Sequence, residues 1–159
     1  MGEIVLKSTP STAVAYVTRQ GPYDQIPGVV GEIFLWMREN GYEPDGPPVG
    51  VFFTSPFGVP PEELRWEMQI PVKAAAEDLE PTDTAPGIKT VPARTVVSTI
   101  HEGSYETVAA TYQTLFGWLA ARGFRMAGPP EEVYLTDPGS TPPAEMRTEI
   151  RFPVIKKEH

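Results

Sequence analysis

Two stretches of the chain place a carboxylate in the middle of a predicted β-strand. Glu67 lies in LRWEMQIPV, and Glu149 lies in MRTEIRFPV. A carboxylate with apolar surroundings has a raised pKa and can act as a general acid or base, or can fix the cationic end of a ligand. The alternative is an exposed strand carboxylate, since Arg147 and Arg151 are two residues away from Glu149 on the same strand face.

Aromatic residues occur at matched positions on two predicted strands that lie 82 residues apart in the sequence. Side chains alternate along a strand, so Glu67 faces away from the helices if Trp66 packs on them. The same alternation, with the valine before each ring assigned to the core, predicts that Phe52 and Tyr134 share the glutamate face. Aromatic walls beside a carboxylate are typical of a site for a flat neutral or cationic organic compound.

Three more aromatic side chains are candidate ligand contacts, and two of them, Tyr105 and Trp118, have a structural role as the alternative. Tyr105 stands at a strand-to-helix turn, where a tyrosine ring often caps the helix. Tyr112 stands where the other half of the sequence has Val30, which indicates a specific use for the phenol. Trp118 falls on the apolar face of a predicted helix, where core packing is the alternative role.

The elements that carry these residues occur twice, because the sequence aligns with itself at a shift of 82 residues without a gap. Such a repeat describes architecture and is considered before local propensity. Matched pairs include Tyr23 and Tyr105, Trp36 and Trp118, Gly41 and Gly123, Glu67 and Glu149, and Pro71 and Pro153.

Each copy predicts a βαββ module. A β-branched strand leads through a Gly-x-Tyr turn to an amphipathic helix, and two strands follow. Module one spans 12–72 and module two spans 94–155, with the polar, proline-rich residues 73–93 as the connection. We therefore predict an α+β fold, with the two pseudo-symmetric modules forming one domain over residues 1–159.

The order of these motifs resembles the GyrI-like family, also called the bacterial transcription effector-binding domain. The shared features are a GPY or GSY turn, an amphipathic helix, a GPP turn and a terminal strand of the form E-x-x-x-P-V, each present twice. The resemblance implies a curved antiparallel sheet with helices on one face and a ligand cleft on the other. It also implies that Glu149 is the ligand-contacting glutamate of the second module, with Glu67 as its internal copy.

Composition excludes several classes of function. The net charge of −8 and the pI of about 4.8 disfavour nucleic-acid binding. The absence of cysteine, with His101 and His159 as the only imidazoles, disfavours a metal site, and no cofactor motif is present. We expect His101 to be a surface residue and not a base. No signal peptide or membrane-spanning run is evident, so the prediction is a cytoplasmic protein.

Three functions remain as hypotheses. The first is a stand-alone small-molecule-binding protein for a planar hydrophobic, neutral or cationic compound, related to multidrug recognition. The second, implied by some members of the family, is a hydrolase of reactive cyclopropane-bearing natural products, in which Glu149 or Glu67 directs water and Tyr134 or Tyr105 assists. The third is a modulator of a protein partner such as DNA gyrase.

Overall fold

The computed structural model describes residues 2–54, 58–73, 77–137 and 140–157. It confirms the α+β class, and the chain forms two compact units. The first unit is Pro10–Ala93, and the second unit is Met1–Thr9 together with Arg94–His159. Within the described residues, neither helix has the length and apolar character needed to cross a bilayer.

The first unit is an antiparallel sheet with one helix. Its strand order is β3-β4-β2-β5. The core includes Trp66 and Met68 of β4 and Ile33 and Met37 of the helix, none of which has any exposed surface. Its elements are β2 (Thr12–Gln20), α1 (Ile26–Glu39), β3 (Val49–Phe52), β4 (Arg65–Pro71) and β5 (Gly87–Val91).

The second unit has the same plan. Its strand order is β1-β6-β9-β8, and β7 also pairs with β9. Leu115 and Leu119 of the helix pack on Ile150 and Phe152 of β9, so this side of the sheet is the helix-covered face. Its elements are β1 (Val5–Thr9), β6 (Arg94–Glu102), α2 (Val108–Arg122), β7 (Phe124–Met126), β8 (Glu131–Tyr134) and β9 (Arg147–Lys156).

Helix α2 forms for local reasons that the sequence shows. In α2 the buried residues Thr111, Leu115 and Leu119 recur every four positions, which is one helical face. The helix ends at Gly123, whose φ of 74° is the left-handed conformation that glycine adopts without strain. The predicted helix-ending role of this glycine is therefore confirmed.

The structure adds edge strands that the sequence interpretation omitted. The predicted connection 73–93 contains β5, which pairs with β2, and the N-terminal segment contains β1, which pairs with β6. β1 therefore belongs to the second unit, although the next strand in the chain, β2, belongs to the first. Likewise β5 belongs to the first unit, although the next strand, β6, belongs to the second. The 82-residue shift also matches these edges, because it aligns Lys7 with Lys89.

Candidate functional site

The Glu149 carboxylate is surrounded by cationic and hydrogen-bonding partners of the second unit. This carboxylate forms an ion pair with Lys7 Nζ at 2.6 Å. It also accepts hydrogen bonds from Arg151 Nε at 2.9 Å and from the Ser98 hydroxyl at 2.7 Å. Burial alone raises the pKa of this carboxyl, but the hydrogen bonds from Arg151, Lys7 and Ser98 outweigh it and lower the pKa to about 2. The predicted pairing with Arg151 is confirmed, but the exposed position that this interpretation assumed is wrong, because Glu149 is buried.

Glu67 has equivalent partners in the first unit. Its carboxylate is only 3% exposed. It accepts hydrogen bonds from the Thr18 hydroxyl at 2.9 Å and the Gln69 amide at 2.6 Å, and it forms an ion pair with Lys89 Nζ at 2.7 Å. The Lys89 ammonium also lies 4.2 Å from the centre of the Tyr16 ring. The chain's own lysine thus occupies the position where a cationic ligand would pair with this glutamate.

Both predicted glutamates are therefore neutralised from within their own units. Lys7 on β1 and Lys89 on β5 reach them from the edge strands at matched positions. A carboxylate that already has an ammonium partner gains little from a further cation. A ligand-binding role for Glu149 and Glu67 stays a prediction that this geometry does not favour.

The expected placement of Phe52 and Tyr134 on the glutamate face is wrong. Directly paired residues of adjacent strands share a face. Val133 pairs with Glu149, and Tyr134 pairs with Thr148. In the first unit the equivalent register pairs Val51 with Glu67 and Phe52 with Trp66. The two rings therefore lie on the side of the sheet opposite the glutamates.

A different carboxylate, Glu132, shares the helix-covered face with Tyr134. Glu132 pairs with Ile150 on β9 and is half-buried. The Tyr112 hydroxyl donates to one carboxylate oxygen at 2.5 Å, and the Tyr134 hydroxyl donates to the other at 3.4 Å. Burial raises the pKa of Glu132, and these two hydrogen bonds offset the rise only in part. The predicted specific use of Tyr112 thus has a structural counterpart.

Aromatic rings surround this carboxylate. Tyr105 meets Tyr134 edge-on at 5.8 Å between ring centres. Phe152 lies beneath, 5.5 Å from Tyr112 and 4.7 Å from Phe116. Phe116 is 49% exposed, which is unusual for a phenylalanine and leaves part of its ring accessible. Burial raises the pKa of Tyr134 well above its ordinary value, and the adjacent Glu132 adds to the rise, so this phenol stays protonated.

Trp118 does not join this group. Its ring stacks on Phe124 at 5.8 Å and lies under the Arg122 guanidinium at 4.5 Å. It also packs against the apolar core of the second unit. These contacts support the core-packing interpretation, and its predicted ligand contact stays untested.

His101 is buried, so its expected surface position is wrong. The side chain is 4% exposed and lies on the helix-covered face, across from Thr148. Its Nε2 is 2.9 Å from the carbonyl oxygen of Ser104, which assigns the proton to this nitrogen. Nδ1 then accepts from the Thr111 hydroxyl at 2.9 Å. Both nitrogens are thereby used to join β6 to the start of α2.

The equivalent location in the first unit is aromatic but lacks the carboxylate on its strand. The 82-residue shift aligns Gly50 with Glu132 and Val30 with Tyr112. Tyr23 and Phe52 keep the edge-on contact, at 5.3 Å. The acidic character of this location therefore belongs to the second unit.

The sequence interpretation missed Glu132 because three consecutive apolar residues, Val133 to Leu135, obscure the alternation of a four-residue strand. A signal was nevertheless present. Glu132 and Tyr134 are two residues apart and must share a face. Both differ in type from their partners in the repeat, which indicates a role that one copy alone performs.

Comparison with known proteins identifies the class. The model of the GyrI-like small molecule binding domain matches residues 2–73 and 77–155, so the chain belongs to the GyrI-like family. The resemblance inferred from the repeated motifs is confirmed. A comparison with curated protein sequences gave no match.

Solved structures of similar fold support this assignment. The EcmrR C-terminal domain superposes with a TM-score of 0.82 at 21% identity, over 98% of this chain and 99% of that one. A hydrolase encoded by lin2189 from Listeria innocua superposes with a TM-score of 0.72 at 16% identity, over 96% of this chain and 92% of that one. SAV2435 bound to tetraphenylphosphonium superposes with a TM-score of 0.59 at 14% identity, over 96% of this chain and 94% of that one. At these identities the similarity concerns the fold.

Proposed function

We propose that this GyrI-like domain binds a flat aromatic cation whose positive charge pairs with Glu132. The observation that carries the proposal is the contrast between the carboxylates. Glu149 and Glu67 each have an ammonium partner, whereas Glu132 has no ion pair among the described residues and is held by two neutral phenols. Its ionised form is partly desolvated and uncompensated, so a cation bound there gains most of its attraction in this site.

The surrounding rings support an aromatic ligand. Phe116 and Tyr112 are one helical turn apart on α2 and both contact Phe152. Ring faces attract cations through their quadrupole and also stack on flat apolar compounds. Because stacking and charge pairing demand little of a ligand's exact outline, the site suits several compounds of one class. This accords with the hypothesis of multidrug recognition, as does the tetraphenylphosphonium bound by SAV2435.

The test compares binding by three variants of the protein. Acridine orange, a fluorescent flat cation, is titrated against wild type, Glu132→Gln and Glu149→Gln, with circular dichroism as the check on folding. We expect Glu132→Gln to weaken binding about tenfold or more, the scale of one charge-assisted contact. Glu149→Gln should leave the affinity within about twofold, since its partners are internal. Loss of binding in Glu149→Gln with normal binding in Glu132→Gln would overturn the proposal.

A hydrolase function is the second candidate, and the raised pKa of Glu132 favours it. A carboxylate with a raised pKa is a better base at neutral pH, and the phenol of Tyr134 lies beside it as a donor. Water would add to a strained ring carbon while Glu132 takes its proton. The carbon–carbon bond would break, its electron pair would pass to a conjugated oxygen, and a phenol would protonate that oxygen.

Product analysis separates the two candidates. A cyclopropane-bearing alkylating compound is incubated with wild type and Glu132→Gln, and the ring-opened product is followed by mass spectrometry. Turnover by wild type that is lost in the variant supports the hydrolase. Binding without excess product over the protein-free control restricts the function to binding.

A further inference from the structure

A buried hydroxyl, that of Thr148, lies two residue pairs from Glu132 along the β8–β9 ladder, on the same face of the sheet. Thr148 occupies the centre of a row across three strands, paired with His101 on β6 and with Tyr134 on β8. It has no exposed surface, and its Oγ1 has no hydrogen-bond partner among the described residues. Buried hydroxyls are nearly always hydrogen-bonded, because leaving one unpaired costs free energy.

The polar groups around Thr148 are already engaged elsewhere. Both nitrogens of His101 are taken by the Ser104 carbonyl and the Thr111 hydroxyl. The Tyr134 hydroxyl donates to Glu132. Burial raises the pKa of the Tyr105 phenol, and a contact from the Thr148 hydroxyl opposes that rise, but this contact lies outside hydrogen-bonding geometry. The oxygen of Thr148 therefore keeps an open acceptor position on the Glu132 side of the sheet.

A second acceptor near it is also weakly occupied. The Glu132 oxygen that faces Tyr134 receives its hydrogen bond at 3.4 Å, whereas the other oxygen receives one at 2.5 Å. Glu132 and Tyr134 alternate on β8 and share the face on which Thr148 lies. The site thus combines a negative charge with one acceptor that has no donor, the Thr148 oxygen, and one whose donor is distant, the Glu132 oxygen.

We infer that Thr148 makes this site select cations that carry an N–H donor, namely protonated amines and protonated nitrogen heterocycles, over permanently alkylated cations. The inference rests on the proposed binding of cations at Glu132. A protonated nitrogen supplies both the charge and the donor that these acceptors lack. A quaternary ammonium or phosphonium supplies the charge alone and leaves the Thr148 hydroxyl buried and unpaired.

A matched pair of dyes isolates this effect. Acridine orange is protonated on its ring nitrogen at neutral pH, and 10-methylacridine orange has the same charge and ring system with a methyl group in place of that proton. Both are titrated by fluorescence against wild type, Thr148→Val and Thr148→Ser. Valine keeps the shape of threonine without the hydroxyl, and serine keeps the hydroxyl.

For wild type we expect acridine orange to bind about tenfold more tightly than its methylated form, the scale of one hydrogen bond to a buried group. Thr148→Val should reduce this ratio to about one by weakening acridine orange alone, and Thr148→Ser should keep it near the wild-type value. A melting temperature for each variant shows that it remains folded.

Several outcomes overturn the inference. If wild type binds both dyes equally, no selection exists. If the preference persists in Thr148→Val, the methyl group is excluded by shape and not by the missing donor. If Thr148→Val weakens both dyes alike, the hydroxyl holds a water or supports the fold. Failure of both dyes to bind wild type would instead count against the proposed function itself.

Discussion

Tyr134 lies directly across from Thr148 on the neighbouring strand, while Val133 lies across from Glu149. Adjacent residues of β8 therefore serve opposite faces of the sheet. The helix-covered face carries Tyr134 with Glu132, and the other face carries Glu149 with its lysine and arginine. Two carboxylates on neighbouring strands of one unit thus differ in their surroundings: the buried Glu149 has charged partners, and the half-buried Glu132 has no ion pair among the described residues.

The affinity for a permanent cation should depend on pH. Burial raises the pKa of Glu132, so the carboxyl becomes neutral at a higher pH than an ordinary glutamate. We expect the affinity of 10-methylacridine orange to be constant above that pKa and to fall below it, towards about tenfold per pH unit. Fluorescence titration over a pH series measures this. The same series on Glu132→Gln should be flat, and a wild-type profile equally flat wherever the protein is folded would contradict the assignment.

Removing the Tyr112 hydroxyl should raise the pKa of Glu132 further. The hydrogen bond from Tyr112 lowers that pKa, so Tyr112→Phe removes a contribution that favours the ionised form. The cost to folding is about 1–3 kcal/mol where Glu132 is ionised and is smaller at pH values where it is protonated. Carbon-13 NMR titration of the carboxyl group follows the pKa directly.

The control for this variant is Tyr42→Phe, whose ring stacks on Trp36 in the first unit. It should leave the titration of Glu132 unchanged. A pKa of Glu132 that moves down, or not at all, in Tyr112→Phe would show that the phenol is not the effective partner.

Glu149 should give the protein part of its acid sensitivity. Its folded pKa of about 2 lies below the ordinary value of 4.5, so its stabilisation is present above that ordinary value and is lost as the pH falls towards 2. At neutral pH, Glu149→Gln should lower the free energy of unfolding by ~2–3 kcal/mol and flatten its dependence on acid pH. Urea unfolding across an acidic pH series measures both effects.

The exposed Glu145 provides the matched control, since it lies just before the same strand. Glu145→Gln should change the unfolding free energy by less than about 0.5 kcal/mol. An acid profile for Glu149→Gln that parallels wild type would show that the Lys7 and Arg151 contacts do not persist in solution.

Two glycines at α2 should respond in opposite directions to alanine. A Cβ at either Gly117 or Gly123 would meet no atom within 4 Å, so packing is equal at both. Gly117 lies inside the helix, where alanine should stabilise by about 0.5–1 kcal/mol. Gly123 has φ of 74°, and alanine there should destabilise by about 1 kcal/mol or more. Denaturant unfolding of both variants measures the difference, and effects of equal sign would contradict it.

Much of the fold follows from the sequence because its signals are local and occur twice. The periodicity of α2, the glycine that ends it and the alternation in β9 depend on residues within a few positions of one another. The edge strands β1 and β5 were omitted because each is short, mixed in polarity and followed by a proline. The repeat itself aligned Lys7 with Lys89 and Pro10 with Pro92, and extending it would have revealed both strands.

The candidate site was predicted less completely. The sequence directed attention to strand carboxylates, matched aromatics and Tyr112, but it assigned the wrong faces to Phe52 and Tyr134. In a strand of four residues with consecutive apolar side chains, either alternation satisfies the hydrophobic pattern. Only the register against β4 and β9 decides between them.

The sequence by itself determined the repeated βαββ plan, the family and the residue types available for binding. The tertiary structure decided which carboxylate remains without a counter-charge. Lys7 reaches Glu149 because β1 pairs with β6, a strand far along the chain, and no pattern in neighbouring residues encodes that pairing. Electrostatic compensation depends on distance in space, so the contrast between Glu149, which has an ammonium partner, and Glu132, which has no ion pair among the described residues, appears only after the chain has folded.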